Sequence, residues 1–598
     1  MDYRSTLTDH VKNQANAVLE DASIPPDKKE EILHCLVRMD PNHAEYYLKL
    51  AQLTPPQKSQ QIIMWLRLAY EKKPNDYAIL YPLCKSLFMK QEYHSLVELN
   101  KNHALEPYFE QNPEFLYYYF ESKMALNLHK DCDKHVASIE KYFKNATITG
   151  DDTFHKWKNF TDCAKVHSLL GNIETSAEYI DKAIRYATKQ KHSKENIVMT
   201  KQYKLCITDY QYYDPVENYK QFVEIKEEIQ HDIQPFVPRD LHHERIRVGY
   251  VTSDVNFHAV CNFLYPILQH STKRFDVYVF INQTKVHPMF QSLPVTMVPI
   301  YQITDKEAAE RIYDMQIDIL IDLNGHTNQN RIGIFPYRPA AVQMTYMGYP
   351  NTTGLTSIQY RITDGIADAM DTKQIYSETL LRMKRCFLLY QSIYQKEPIV
   401  PRKTNASAII LGSLNKETKN TPETLRVWSK IMRECPNTKL LIKLEAYDNQ
   451  EARLEYYMKA LHLKDKKRLL LIPRVNNDQY IRLFSMVDIV LDTFPYSGTT
   501  TTCNSLYNSI PVVTLYHKDY HVHNVSASVL VHAGCPELVA YSEKEYVDII
   551  RTLLSQPEKI DDYKANLHTR FMESMKPAEF MKEYEDMLET VYQKHTCT

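Results

Sequence analysis

The chain is short of glycine: only 11 of its 598 residues are Gly. Where glycine is that scarce, each one marks either an ordinary turn or a backbone that needs a special angle or a close approach. Nine of them fall after residue 240, at Gly249, Gly325, Gly333, Gly348, Gly354, Gly365, Gly412, Gly498 and Gly534, which suggests two architectures joined near that point. Paired cysteines are also missing. The 11 Cys are scattered without CxxC or zinc-type spacing, which argues against a disulfide framework or a structural zinc and reads as reduced thiols. No charge of one sign dominates. With 72 basic and 74 acidic residues the net charge is -2, so nothing draws the whole chain toward nucleic acid or an anionic membrane. No apolar run approaches the ~20 residues that span a bilayer, and the start "MDYRSTLTDHVKNQ" is too polar for a signal peptide. The expected location is cytoplasmic or nucleocytoplasmic.

Residues 1–235 contain no convincing alternating strand and are rich in Tyr, Leu, Ala, Lys and Glu at helical spacing. Pro41, Pro74 and Pro107 recur every 33 residues, a period that marks paired-helix repeats. The stretch "LGNIETSAEYIDKAIRYA" (170–187) is similar to the second helix of a tetratricopeptide repeat, with Gly171 at the turn and Tyr179 and Ala183 on one face; "KQEYHSLVELNKNHALEP" (90–107) is a weaker copy. Stacked helix pairs offer a concave surface for an extended polypeptide. A plain bracing helical domain is the alternative.

From about residue 244 short strand-like runs alternate with helix-length segments: "RIRVGYVTSD", "FDVYVFIN" and "DILIDLNG", then "SAIILGSLN", "TKLLIKL", "DIVLDTF" and "PVVTLY". This alternation predicts two Rossmann-like blocks, 236–400 and 401–598, whose ligands bind beyond the carboxyl ends of parallel strands. Neither block opens with GxGxxG, which weakens a hydride-transfer reading. In "LDTFPYSGTTTTCNSL" (491–506) Asp492 ends a strand, Pro495 and Gly498 shape a turn, and Thr499, Thr500, Thr501 and Thr502 start a helix. One hydroxyl suffices for a cap. Four, with the free N–H groups of a helix start, predict an anion seat.

The segment 244–575 resembles the SPINDLY and O-GlcNAc transferase family of nucleocytoplasmic protein glycosyltransferases. The resemblance rests on "RVGYVTSD…H" (247–258), "DILIDLNGHT" (318–327), "RPAAVQMTYMGYPNTTGL…YRITD" (338–364), "LGSLNKETKNTPETLRVW" (411–428), "DIVLDTFPYSGTTTTCNSLYNSIPVVTL" (488–515) and "YHVHNVSASVL" (520–530). "GYPNTTG", "LDTFPYSGTTTTC" and "HVHNV" look closer to SPINDLY, the protein O-fucosyltransferase, than to animal O-GlcNAc transferase. There is little room at 365–405 for the large domain that the animal enzyme inserts between its halves. The resemblance implies an α + α/β chain, with tetratricopeptide-like repeats followed by a GT-B fold of two Rossmann-like domains. The N-terminal half would lie on the acceptor side and the C-terminal half on the donor side.

The resemblance also implies site roles. Lys419 falls at the lysine that contacts the donor diphosphate, and Thr499, Thr500 and Thr501 fall where the family binds that diphosphate. Asn415 shares the Lys419 loop. His258 and His326 would face the cleft from the N-terminal half, either one bonding the sugar or taking the acceptor's proton. His521 and His523 flank the donor side, with His523 reaching the nucleotide and Asn524 beside it. Two positions depart from the family: Asn504 replaces a carboxylate that holds the ribose, and Tyr480 replaces a histidine near the base, where it offers a stacking face. The expected activity is transfer of a sugar to protein Ser or Thr hydroxyls, with GDP-fucose as first donor and UDP-GlcNAc second, and with no metal or other cofactor. The expected partners are protein acceptors held by the repeats, with a homodimer through the repeats as a further expectation. A repeat scaffold with a catalytically weak transferase fold is the rival reading.

Overall fold

The computed structural model describes residues 3–101, 105–109, 112–128, 130, 134, 137–138, 141, 152–239, 243–404 and 408–596. The chain divides into two compact units, Met1–Asp162 and Cys163–Thr598.

The first unit is built of helices. Helices Pro26–Met39 and Ala44–Leu53 bury Leu33, Leu36, Tyr46 and Leu50 in one apolar cluster. Helices Ser59–Lys72 and Tyr77–Met89 follow, the second capped by the Asp76 carboxylate on Ala78 N–H. Pro41 and Pro74 fall in the gaps between consecutive helices, where the ring's lack of an N–H stops the preceding helix. Pro107 differs: it sits inside the short helix Glu106–Phe109, in a first turn where a backbone N–H would have no helical partner, so its absence costs nothing. Residues 102–104 of the weaker repeat-like stretch lie outside the described residues. No helix among the described residues is long and apolar enough to cross a membrane.

The second unit opens with helices Ile173–Lys189, Lys194–Thr208 and Pro215–Gln230. The first buries Ile173, Ser176, Tyr179, Ile180, Ala183 and Ala187, a stripe at helical spacing that includes the Tyr179 and Ala183 pair. Gly171 takes the turn before it at φ +81°. The last of these helices ends at Gln230 and the first strand begins at Ile246, whereas the second compact unit begins earlier, at Cys163. Leu205, Phe222, Ile225 and Ile229 share one core with Val251, Phe280, Leu320 and Tyr349 of the first sheet and its loops.

Two wholly parallel sheets follow. β1 (Ile246–Thr252), β2 (Phe275–Ile281), β3 (Thr296–Pro299), β4 (Ile319–Asp322), β5 (Val342–Thr345), β6 (Tyr360–Asp364) and β7 (Thr379–Met383) order as 3-2-1-4-5-6-7. β8 (Ile409–Ser413), β9 (Thr438–Lys443), β10 (Leu469–Ile472), β11 (Ile489–Leu491), β12 (Val512–Leu515) and β13 (Val539–Ala540) order as 10-9-8-11-12-13. Both sheets therefore reverse direction once, between β1 and β4 and between β8 and β11. A crevice opens at such a reversal because the loops leaving its two strands diverge to opposite faces of the sheet. The architecture is the expected one: N-terminal helices, then two Rossmann-like sheets in the GT-B arrangement.

The chain ends by returning to the first sheet. Helix Pro577–Thr596 hydrogen-bonds Tyr584 to Tyr250 (3.1 Å), Glu585 to Thr272 N (2.8 Å) and Tyr592 to Asp318 (3.1 Å).

The shared core predicts a sharp difference between two truncations. Losing Leu205, Phe222, Ile225 and Ile229 removes roughly 1.5–3 kcal/mol of burial for each side chain, together comparable to a whole domain's stability. A chain beginning at Asp152, which keeps helix Asp152–Leu169 whole, serves as the reference. One beginning at Glu244 is expected to melt more than about 10 °C lower or to aggregate. Thermal melts of both decide it, and equal melts would show that these helices do not brace the sheets.

Candidate active site

The turn after β11 hangs on one carboxylate. Asp492, 1% exposed, accepts at Oδ1 from Asn415 Nδ2 (3.0 Å), Thr493 N (2.9 Å) and Gly498 N (2.8 Å), and at Oδ2 from Thr514 Oγ1 (2.7 Å). Asn415 is therefore the tie between the β8 loop and this turn. Gly498 is required here, because a Cβ would stand 2.7 Å from Thr502 Oγ1 and 3.1 Å from both Asp492 and Asn415.

The β8 loop ends in the short turn Glu417–Lys419. Buried Glu417 pins it, accepting from Arg453 Nε (2.7 Å), Tyr457 OH (3.1 Å) and Glu445 N (2.9 Å). That places Lys419 Nζ on the β11 turn, donating to Ser497 O at 2.7 Å and lying 4.0 Å from the Tyr496 ring centroid. Lys419 is half-buried. Loss of water pushes its amine down to about 7; Lys416 pushes the same way and Asp492 opposes.

Helix Thr500–Tyr507 starts directly beyond this turn. Thr499, at its start, makes no side-chain cap bond, so the hydroxyl run is not used up in capping. Thr499, Thr500 and Thr501 are half-buried. Thr502 is different. It is buried, and its Oγ1 pairs with Ser526 Oγ at 2.7 Å, which ties two helices together.

One turn further in, Asn504 is 1% exposed and accepts at Oδ1 from Tyr390 OH (2.6 Å), while its Nδ2 has no hydrogen-bond partner among the described residues. Tyr480, on helix Asn477–Leu483, lies close to Thr501 and Asn504, and burial raises its phenol. Asn415, Lys419, Thr499–Thr501, Asn504 and Tyr480 thus gather at the carboxyl end of the second sheet, around its point of reversal.

His523 and Asn524 are built into helix His521–His532. His523 is fully buried, 3.1 Å from Tyr212 OH, and burial pushes its imidazole down to about 4. Asn524 accepts from His517 N (3.0 Å) and donates to Ala367 O (3.3 Å), fixing the strand-to-helix connection and joining the halves; it is not a cap. His521 pairs with buried Asp368 at 2.8 Å, a contact that holds the Asp368 carboxyl well below the usual range against burial, the largest influence, which raises it.

On the other sheet, the β1 loop carries His258, which is 49% exposed, with Nδ1 3.4 Å from Asp254 Oδ2. Asn324, after β4, donates Nδ2 to the same Asp254 oxygen at 2.9 Å. Burial raises the Asp254 carboxyl, and His258 opposes. An accessible imidazole backed by an oriented carboxylate can take a proton. His326 cannot do so. It is 2% exposed, its Nε2–H donates to Thr353 O (2.8 Å), Gln202 Nε2 lies 3.3 Å from Nδ1, and burial pushes it down to about 4. The expectation that it faces the cleft is corrected: a histidine at a strand's end has been drawn under the loop by the helix Lys194–Thr208.

Asp364, Cys386 and His532 bring ligand atoms within 4.8 Å of one another. The Asp364 oxygens are occupied by Ile366 N, Ala367 N, Phe387 N and Ser528 Oγ, so the group reads as a pin between the halves. Sequence reasoning missed Asp254 and Tyr496; the Asp254–His258 spacing was a usable signal, and Tyr496 gave none.

A family model described as glycosyl transferase family 41 matches residues 223–397 and 393–584, more than half of the chain. The chain belongs to glycosyl transferase family 41. Within the family's reach, it is 36% identical over 333 residues to SPINDLY of Arabidopsis thaliana, named a probable UDP-N-acetylglucosamine–peptide N-acetylglucosaminyltransferase. That match covers 54% of this chain and 36% of the relative. It is 27% identical over 294 residues to Arabidopsis SEC, covering 47% of this chain and 30% of that one. The chain thus spans about a third of the length of the curated relatives it matches. Among solved structures, a mutant O-GlcNAc transferase of Thermobaculum terrenum superposes with TM-score 0.63 at 20% identity, over 100% of this chain and 99% of that one, a likeness of fold.

The depressed Lys419 amine predicts a proton linkage. With the site empty, the amine is charged below about pH 7 and neutral above it. An anion seated against it favours the charged form, so above that pH binding must take up a proton. Calorimetry with UDP and GDP near pH 8, in buffers of different ionisation enthalpy, is expected to show uptake approaching one proton. Lys419→Arg, charged at any working pH, is expected to abolish it. The same uptake in the Arg variant would assign the proton to another group.

Proposed function

We propose that the chain transfers a sugar from a nucleoside diphosphate donor to Ser or Thr hydroxyls of proteins. One observation carries the reading: the Lys419 ammonium rests on the turn that launches the Thr499–Thr501 helix start, although 78 residues separate Lys419 from its acceptor on that turn. Family membership and the two reversing sheets support it.

The proposed chemistry follows from where charge moves. The acceptor oxygen forms a bond to the anomeric carbon while the bond from that carbon to the diphosphate oxygen breaks. The electron pair leaves with the diphosphate, whose negative charge rises. Lys419 and the N–H groups of the helix start stabilise that charge, and the threonine hydroxyls add donors. The acceptor's proton goes to His258, oriented by Asp254 and Asn324. Because an ammonium and helix dipoles provide the positive charge, the proposed transfer is metal-independent.

For the donor, the stretches "GYPNTTG" and "HVHNV" favour GDP-fucose, whereas the names of the plant relatives favour UDP-GlcNAc. Tyr480 supports a purine, since a larger base offers more stacking face. Asn504 lowers ribose affinity for either nucleotide, because a neutral amide holds a hydroxyl less tightly than a carboxylate does.

Two measurements test the reading. Lys419→Ala is expected to lower transfer to protein acceptors by about 100-fold or more with folding intact, as for loss of one charge-stabilising donor. Near-normal transfer would remove the diphosphate assignment. Titration is expected to show tighter binding of GDP than of UDP, and Asn504→Asp is expected to tighten both by about fivefold without reversing the order. A preference for UDP would replace the fucosyl reading with the N-acetylglucosaminyl one. Binding of neither nucleotide by a folded chain would support the scaffold reading.

A further inference from the structure

The loop 209–214, "DYQYYD", joins helices Lys194–Thr208 and Pro215–Gln230. It carries three tyrosines, two of which pack on Tyr520 while the third reaches the β11 turn. Asp209 anchors its base, accepting at Oδ1 from Asn351 Nδ2 (2.9 Å). Tyr213 O accepts from Tyr520 OH (2.8 Å), and Tyr212 OH lies 3.1 Å from His523 Nε2. Tyr210 stacks on Tyr496, with ring centroids 4.9 Å apart and planes 28° from parallel. Tyr496 is the ring against which Lys419 Nζ rests. Lys416 Nζ lies 5.9 Å from the Tyr210 ring centroid.

A tyrosine on a turn has several rotamers open to it, and a stacked neighbour removes most of them. We propose that Tyr210 is a positioning residue for Lys419: by stacking on Tyr496 it fixes the ring face that holds the ammonium, so the helical segment before the sheets forms part of the donor wall. The inference rests on the reading of Lys419 as the diphosphate contact. Its geometric part, Tyr210 acting on Lys419, stands apart from that reading and is tested separately.

The groups facing Lys419 are Ser497 O and Tyr496 on the β11 turn, Asp492 below it, and Lys416 on its own turn. Burial is the largest influence on its amine. Removing Tyr210 admits water to Tyr496 and to Lys419, which moves the amine back toward its ordinary value.

The experiment uses the full chain with lysines 13C-methylated; the Lys419 resonance is the one missing from Lys419→Arg. In the unmodified chain and in Tyr210→Phe, which keeps the flat ring, Lys419 is expected to titrate near 7. In Tyr210→Ala and Tyr210→Leu it is expected to titrate higher by about one pH unit or more. GDP and UDP affinity near pH 7 is expected to fall about 5–10-fold in Tyr210→Ala, with no further fall when that change is added to Lys419→Ala. Tyr496→Ala, which removes the ring itself, is expected to move the Lys419 titration as Tyr210→Ala does and serves if the latter misfolds. An unmoved titration in these variants would overturn the proposal. So would affinity losses that add in full, since Tyr210 would then act without Lys419. A moved titration with unchanged nucleotide affinity in Lys419→Ala would uphold the positioning and remove the diphosphate contact instead.

Discussion

The site depends on the Asp492 carboxylate. Taking a charge out of water is costly unless donors surround it, and here four do. Each comes from a different place: the β8 loop, the residue next in chain, the glycine that opens the threonine helix, and the neighbouring strand β12. Satisfying one buried anion therefore fixes the relative positions of both loops at the point of reversal. Lys419 inherits its place from that arrangement, because the carbonyl it bonds lies on the same turn. Glu417 repeats the device on the other side, with a buried carboxylate met by Arg453, Tyr457 and the Glu445 backbone. Two internal anions, Asp492 and Glu417, thus organise the backbone of both loops and hold Lys419, half-stripped of water, on the β11 turn.

The fold was legible because strand and helix periods differ. Runs such as "DIVLDTF" and "DILIDLNG" are too short and too apolar for surface helices, and their alternation with amphipathic segments leaves a parallel sheet as the economical solution. The loops at the carboxyl end of the second sheet were legible for a second reason. They are local: a strand end, a turn glycine and a helix start follow one another along the chain, so their chemistry is written in consecutive residues. Gly498 shows the link most directly, since the crowding that requires it comes from Thr502, four residues on.

What stayed hidden is what depends on distant partners. "NGHT" does not show that Gln202, 124 residues earlier, covers His326 and burial neutralises it. Nor does "HVHNV" show that Tyr212, 311 residues away, closes over His523. Both histidines look like surface chemistry in sequence and are interior supports in the fold. The tyrosines of the loop 209–214 are the converse case, since in sequence they pass for ordinary repeat residues. The threonine run divides for the same reason. Thr499 to Thr501 stay half-buried at the helix start, while Thr502 is claimed by Ser526 on the next helix.

The return of helix Pro577–Thr596 to the first sheet has a consequence for the order of assembly. Tyr250 and Tyr584 are 334 residues apart, and Asp318 and Tyr592 are 274 apart, yet each pair shares a hydrogen bond. A ribosome delivers the first sheet long before it delivers the helix that covers it. Until then the faces meant for Tyr584 and Tyr592 stand open to water and to other chains. The contacts of Tyr584 and Tyr592 with the first sheet therefore form only after the second sheet has been synthesised, and their large sequence separation makes them costly to close. Ribosome stalling or proteolysis near residue 570 would leave a second sheet nearly complete beside a first sheet that is not.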